Sequence, residues 1–204
     1  MRIFLVFITL LTAFFAATSY KASAQGATRA ELMEKQQARM VYPFVRGSIM
    51  TGVLPVPDIT FPIEANKTYK LVFDFASGNM PLYREGKVNP GLEEICRILN
   101  LHSAAGVADR NLDVVVVLHG PALMTFTSRE EYQKRFQQAN ANINLVEALQ
   151  KKGVRFVVCG QSLQLREMKR NQLMPGILES FSARTAISTL IQQGYVLFPI
   201  EEGN

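Results

Sequence analysis

The sequence predicts an α/β domain of three layers, a mostly parallel sheet with helices on both faces. Two observations carry this. Strand-like runs alternate with amphipathic helical patterns from Tyr69 to Phe198, the order expected of crossover-connected parallel strands. The strongest strand signal, Leu112 to Leu118 (LDVVVVL), is apolar almost throughout, as a strand buried on both faces must be.

The elements follow in order. Thr28 and Glu31 are spaced as a capping box, so a short helix is predicted from about residue 29 to Arg39. Residues 41–67 carry Pro43, Pro55, Pro57 and Pro62, which interrupt regular structure and predict an extended arm. Within it, Asn66-Lys67-Thr68 matches a glycosylation sequon, relevant only in a eukaryotic secretory pathway. Tyr69 to Phe75 (YKLVFDF) reads as the first strand, and 76–90, with two glycines and two prolines, as a loop. Leu92, Ile95, Cys96 and Leu99 have helical spacing, which predicts a helix over 91–104.

After the second strand, Ser128 caps a predicted helix to about Phe136, and Asn144 a second one over 145–152 that Gly153 closes. Val154 to Val158 is the third strand and ends at Cys159. A short helix follows near Ser162, with Pro175-Gly176 as a break. Ser182 caps a helix over 183–193, and Tyr195 to Phe198 is the last strand, ended by Pro199. Four strands are therefore expected.

The amino terminus carries an address. Arg2 gives a positive start, Ile3 to Ala17 is an almost unbroken apolar run, and Ala22-Ser23-Ala24 supplies an A-x-A site before Gln25. That is the layout of a signal peptide over residues 1–24. The alternative is an uncleaved membrane anchor, but the run is shorter than the ~20 apolar residues of a spanning helix and ends in a cleavage-like site. A periplasmic or secreted protein is expected, with no membrane segment after cleavage. The organisation is then leader 1–24, helix and proline-rich arm 25–67, and α/β domain 68–204.

Composition excludes several classes. Two of the 22 basic residues, Arg2 and Lys21, lie in the leader, and the remainder face 17 acidic residues with only a mild excess. The basic pairs are scattered, so no nucleic-acid partner is indicated. The two histidines, His102 and His119, and the two cysteines, Cys96 and Cys159, form no metal-ligand spacing and no C-x-x-C. No metal or cofactor is expected.

Two chemical positions fall at strand ends, where α/β sheets gather ligands. His119 follows the second strand and Cys159 the third. Cys159-Gly160-Gln161-Ser162 would place a thiol just ahead of a helix N-terminus, where free N–H groups favour an anion. Gly160 leaves the sulfur unblocked, and Gln161 and Ser162 add polar groups beside it. A buried strand-end cysteine is also often simply packed, and both readings stand. His119 is either a base for Cys159 or a partner of loop backbone. Asn140, Asn142 and Asn144 add polar density that would line the same edge, with Asn142 the candidate substrate contact. Cys96, on a helix's apolar face, reads as structural. Two further readings of these residues stand open. One is a Cys96–Cys159 disulfide, and the other is a cysteine hydrolase using His119 as base, with no oriented third member evident and Asn142 only a candidate for it.

Five stretches together resemble the DsrE/DsrF-like family, in its exported form. They are VVVVLHGPA (114–122), NLVEAL (144–149), GVRFVVCGQS (153–162), LMPG (173–176), and SARTA (182–186) with QGYVLFP (193–199). The resemblance spans about 68–200. It implies a compact α/β fold, assembly as a homotrimer or homohexamer, and persulfide sulfur carried on a cysteine at the position of Cys159, as in cytoplasmic relatives of the DsrE and TusD type. The expected function is an exported sulfur (persulfide) carrier. Cys159 and His119 are its reacting residues, Gly160, Gln161, Ser162 and Asn142 its contacts, and a sulfur donor or acceptor protein its partner. The competing expectation is a non-catalytic oligomeric binding module with an inert Cys159. The leader and the proline-rich arm depart from the cytoplasmic relay proteins.

Overall fold

The computed structural model describes residues 28–200. The signal peptide expected over residues 1–24 lies outside the described residues. Residues 28–39 form a unit by themselves, and the chain from Met40 forms another. The first unit is helix α1 (Arg29–Gln37). Its capping box is present: Thr28 Oγ1 accepts from the Glu31 amide, and the Glu31 carboxylate accepts from the Thr28 amide at 2.7 Å. None of its residues is buried.

The second unit holds a five-stranded parallel sheet: β1 (Tyr69–Phe75), β2 (Leu112–Leu118), β3 (Arg155–Cys159), β4 (Leu178–Ser180) and β5 (Val196–Ile200). Their spatial order is β4-β3-β2-β1-β5, every pairing parallel. The expected α/β class and parallel sheet are observed, with one more strand than expected. β4 has three residues, too few for a periodic signal, and follows close on the Pro175-Gly176 break. β5 runs through Pro199 to Ile200 rather than ending at Phe198. It is an edge strand, where a residue without an N–H is tolerated.

Strand alternation divides the core between two faces. Leu71, Phe73, Phe75, Val114, Val116, Leu118, Phe156 and Val158 point into the main core. Helices α3 (Pro90–Ala104) and α5 (Ile143–Lys151) cover that face with Leu92, Ile95, Leu99, Val146 and Leu149. The opposite face is a smaller cluster of Val72, Val115, Val117 and Cys159, covered by Ala183, Ala186, Ile187 and Leu190 of helix α7 (Ala183–Gln192). Fully burying each such valine contributes about 1.5–3 kcal/mol, so α7 is held mainly by this apolar stripe.

The arm packs on the main core. Phe44 and Val45 are buried in it. Asn100, buried on α3, accepts from the amides of Phe44 (2.8 Å) and Val45 (3.1 Å) and donates to the carbonyls of Val45 and Thr51. One side chain thus satisfies four arm groups that the interior would otherwise strand.

Three local boundaries differ from expectation. The loop 76–90 contains helix α2 (Met80–Arg84), whose Pro81 sits in the first turn, where a missing N–H costs nothing. Helix α5 starts at Ile143, so Asn144 lies inside it instead of capping it. Helix α6 (Gly160–Leu165) begins directly after Cys159, earlier than Ser162. Helix α4 (Arg129–Phe136) starts at its Ser128 cap as expected.

Candidate functional site

Cys159 ends β3 and is the cap residue of α6. Its neighbour Gly160 allows a close crossing. A Cβ there would stand 2.8 Å from the Ser180 carbonyl oxygen, 3.2 Å from Glu179 Oε1 and 3.3 Å from the Phe181 carbonyl oxygen. The glycine is required because β4 and its exit loop lie against it, and not because a substrate needs room.

That packing brings a second helix to the sulfur. Burial alone pushes the Cys159 thiol up. The Ser162 hydroxyl and the amides of Ala183, Ser162 and Gln161 turn toward it, and together they hold the thiol below its ordinary value. Gln161 and Ser162 belong to the first turn of α6, and Ala183 opens α7. Two helix starts therefore face one sulfur, and the arrangement suits a thiolate. The residue is only 5% exposed.

Ser162 links the sulfur to the neighbouring strand. Its Oγ accepts the Gly120 amide at 3.2 Å, which leaves its own proton to be donated toward Cys159. Gly120 adopts φ +57, a conformation glycine tolerates best, and the turn aims its N–H at that hydroxyl.

His119 follows β2 at the same edge. Its Nε2 lies 2.6 Å from Asp74 Oδ1, the two side chains being 31% and 33% exposed. No hydrogen bond joins His119 to Cys159 among the described residues. Asp74, on β1, is a site residue that sequence reasoning missed. Its signal is present in YKLVFDF, where Lys70, Val72 and Asp74 alternate against Leu71, Phe73 and Phe75.

Of the residues expected to form the site, Cys159, Gly160, Gln161, Ser162 and His119 gather at the carboxyl edge of β2 and β3. Asn142 does not join them. It is fully buried: its Oδ1 accepts the Asn89 amide at 2.7 Å, and its Nδ2 donates to Asn140 Oδ1 at 2.9 Å. Asn140 in turn donates to the carbonyls of Thr125 and Thr127. This network ties the start of α5 to the start of α3, so the asparagine density is structural. Asn142 contacts no surface from which a substrate could be held.

The two cysteines are free and divided by the sheet, Cys96 in the main core and Cys159 under α7. That division rules out their pairing. Burial and nearby Glu93 push the Cys96 thiol up, away from reactivity. Among the described residues there is no cluster of three or more metal-ligating side chains, and no helix is long and apolar enough to cross a membrane.

At the other edge of the α7 face, Arg155 donates to Asp113 Oδ1 (2.7 Å) and to Tyr195 Oη (2.6 Å), while Tyr195 donates to Asp113 Oδ2 (2.7 Å). Lys70 reaches the Gln193 carbonyl that closes α7. These contacts fix the far end of α7. A cleft of about 320 Å³ opens between α7 and β3–β4, lined among others by Arg155, Val157, Leu178, Ser180 and Leu190. Neither Cys159 nor His119 lines it.

Fold and site define a parallel α/β protein whose thiol at the sheet's carboxyl edge is surrounded by donors that favour its thiolate. The model of the DsrE/DsrF-like family matches residues 84–199, more than half of the chain, and the protein belongs to that family. The family is associated with sulfur transfer in general. Among solved structures the chain is similar to MTH1491 from Methanobacterium thermoautotrophicum, a protein of unknown function. The two are 19% identical, with 64% of this chain and 98% of that chain covered and a TM-score of 0.48. No curated protein matches the chain.

Proposed function

We propose that the protein is an exported sulfur carrier that holds sulfane sulfur as a persulfide on Cys159. The observation that carries this reading is the hydroxyl and three amides turned toward one sulfur, which favour its thiolate. The thiolate attacks the terminal sulfur of a donor persulfide. The new Sγ–S bond forms, the donor's S–S bond breaks, and the donor leaves as a thiolate. Membership of a sulfur-transfer family supports the same chemistry, and the leader-like amino terminus supports the export. No cofactor enters the step.

Enclosure matters for such a carrier outside the cytoplasm, where thiols tend to be oxidised. Cys159 is nearly covered, while Phe181, whose carbonyl lies against Gly160, and Leu165, which ends α6, are 78% and 82% exposed. Exposed apolar side chains of this size support a further subunit or a donor protein on this edge. We therefore include a homotrimer or homohexamer in the proposal.

The test is the intact mass of purified protein after incubation with a low-molecular-weight persulfide donor. A single added sulfur on the wild type, absent from Cys159→Ser, is expected. No adduct, or an equal adduct on the variant, refutes the carrier. The near-complete burial of Cys159 favours a second reading, an oligomeric binding module with an inert thiol. Its signature is a native protein whose Cys159 resists alkylation across a broad pH range.

A further inference from the structure

Asp74 is an ionisable residue one place from the end of a strand whose other positions from Leu71 on serve the core. Alternation with Val72 puts it on the α7 face, and alternation with Val115 and Val117 puts His119 there too. Both His119 (φ −152, ψ 175) and Cys159 (φ −73, ψ 113) continue the extended backbone of their strands. The last paired residues of β2 and β3 are Leu118 and Val158, so His119 and Cys159 occupy the next position on each strand. Neighbouring strands lie about 4.7–4.9 Å apart. His119 therefore stands between Asp74 on one flank and Cys159 on the other.

The hydrogen bond sets the tautomer. A carboxylate only accepts, so His119 Nε2 carries the proton and Nδ1 of the neutral ring is the acceptor. Nδ1 bonds no described residue. The ring and Asp74 are each about one-third exposed, whereas Cys159 is set back under the α7 start. A ring nitrogen free to accept a proton thus stands on the strand next to the sulfur's, at a partly exposed position.

We propose that Asp74 and His119 form a proton-accepting dyad that activates the thiol receiving sulfur from Cys159, with Asp74 as its positioning residue. This rests on the persulfide reading above and assigns the discharge half of the cycle. The incoming thiol gives its proton to His119 Nδ1. Its sulfur bonds the terminal sulfur of the persulfide, the bond between that sulfur and Cys159 Sγ breaks, and the electron pair stays on Sγ. The Gln161, Ser162 and Ala183 amides then hold the thiolate, and Asp74 stabilises the imidazolium. No outside oxidant or reductant is needed, because the sulfane sulfur moves between two thiols. The other charged groups on the elements packed at this edge are Glu179 on β4 and Arg184 in the first turn of α7.

The experiment measures discharge of sulfur-loaded protein by 2-mercaptoethanol, followed by intact mass across pH, for wild type, Asp74→Asn, Asp74→Glu, His119→Gln and the double variant Asp74→Asn/His119→Gln. Near neutral pH, Asp74→Asn and His119→Gln are each expected to slow discharge about a hundredfold, the lower end of general-base effects. His119→Gln also loses the imidazole limb of the pH profile. The double variant is no slower than His119→Gln, and Asp74→Glu recovers part of the rate. Thermal unfolding of Asp74→Asn and alkylation of its Cys159 stay as in the wild type. Wild-type discharge rates and profiles in both single variants, or losses that multiply, overturn the dyad. If the wild type takes up no sulfur, the carrier reading falls by itself. The dyad is then judged on the mixed disulfide of Cys159 with mercaptoethanol, whose cleavage at the outer sulfur needs the same proton transfer. Equal cleavage rates there overturn it, as does a Cys159 that accepts neither adduct.

Discussion

Gly160→Ala tests whether the sulfur site depends on the close crossing of β4. The added methyl would stand 2.8 Å from the Ser180 carbonyl oxygen and 3.3 Å from that of Phe181, both backbone atoms, with Glu179 Oε1 at 3.2 Å. As a helix residue, alanine gains up to about 1 kcal/mol over glycine. Overpacking of a closed site costs about 1–3 kcal/mol, occasionally more, and backbone oxygens give way less readily than side chains. The clash wins, and a net loss of roughly 1–2 kcal/mol is expected, or about 2–8 °C in Tm for a chain of this size. Thermal unfolding by circular dichroism reads this directly. Relief of the clash also moves the loop that carries the Ala183 amide, so iodoacetamide labelling of Cys159 should reach half-maximum at higher pH than in the wild type. A variant that unfolds at or above the wild-type temperature, with unchanged labelling, refutes the argument.

Ser162→Ala removes a donor to the thiolate and an acceptor of the Gly120 amide. Its labelling midpoint should rise. Because the folded thiol lies below its ordinary value, its stabilising contribution is present above the unfolded thiol's pKa and fades as pH falls through the folded one. The stability gap between wild type and Ser162→Ala should therefore widen with rising pH in denaturant titrations. Asn100→Leu strands two amides and two carbonyls of the arm and should cost about 3–6 kcal/mol in the same titrations, at roughly 1–3 kcal/mol per abandoned group with partial relaxation. Asn142→Ala should cost about 1–3 kcal/mol by leaving the buried Asn89 amide without an acceptor, while Asn140 Oδ1 keeps the residue 142 amide, and should leave the Cys159 labelling midpoint where it was. Thiol counting should find Cys96 unreactive in the native protein and both cysteines reactive in denaturant.

The legible parts of the fold are those that repeat. LDVVVVL reads as a central parallel strand because β2 has neighbours on both sides and cores on both faces. The caps Thr28, Ser128 and Ser182 are legible because each needs only a local hydroxyl and the amide three residues on. What escaped depends on tertiary contact. β4 is a strand only because β3 supplies its partners, and Leu178-Glu179-Ser180 has no period of its own. Asn142 and Asn140 look like site residues because loop asparagines so often face a ligand. Their burial follows from Asn89 and Thr125, which lie far off in sequence and could not be placed beside them beforehand.

The α7 face shows why the site itself was half legible. Along β1 the outward positions run Lys70, Val72, Asp74; along β2, Asp113, Val115, Val117, His119; along β3, Arg155, Val157, Cys159. Each strand is apolar in its middle and polar at its ends, where α7 covers least. At the amino edge the polar ends spend themselves on one another through Arg155, Asp113 and Tyr195, and they anchor the helix. At the carboxyl edge they do not. Asp74 engages one nitrogen of His119 and leaves the other without a described partner, while Cys159 draws its contacts from helix amides and a serine. The carboxyl edge holds the thiol, the imidazole and the carboxylate in strand order, and the alternation in YKLVFDF is the sequence trace of that arrangement.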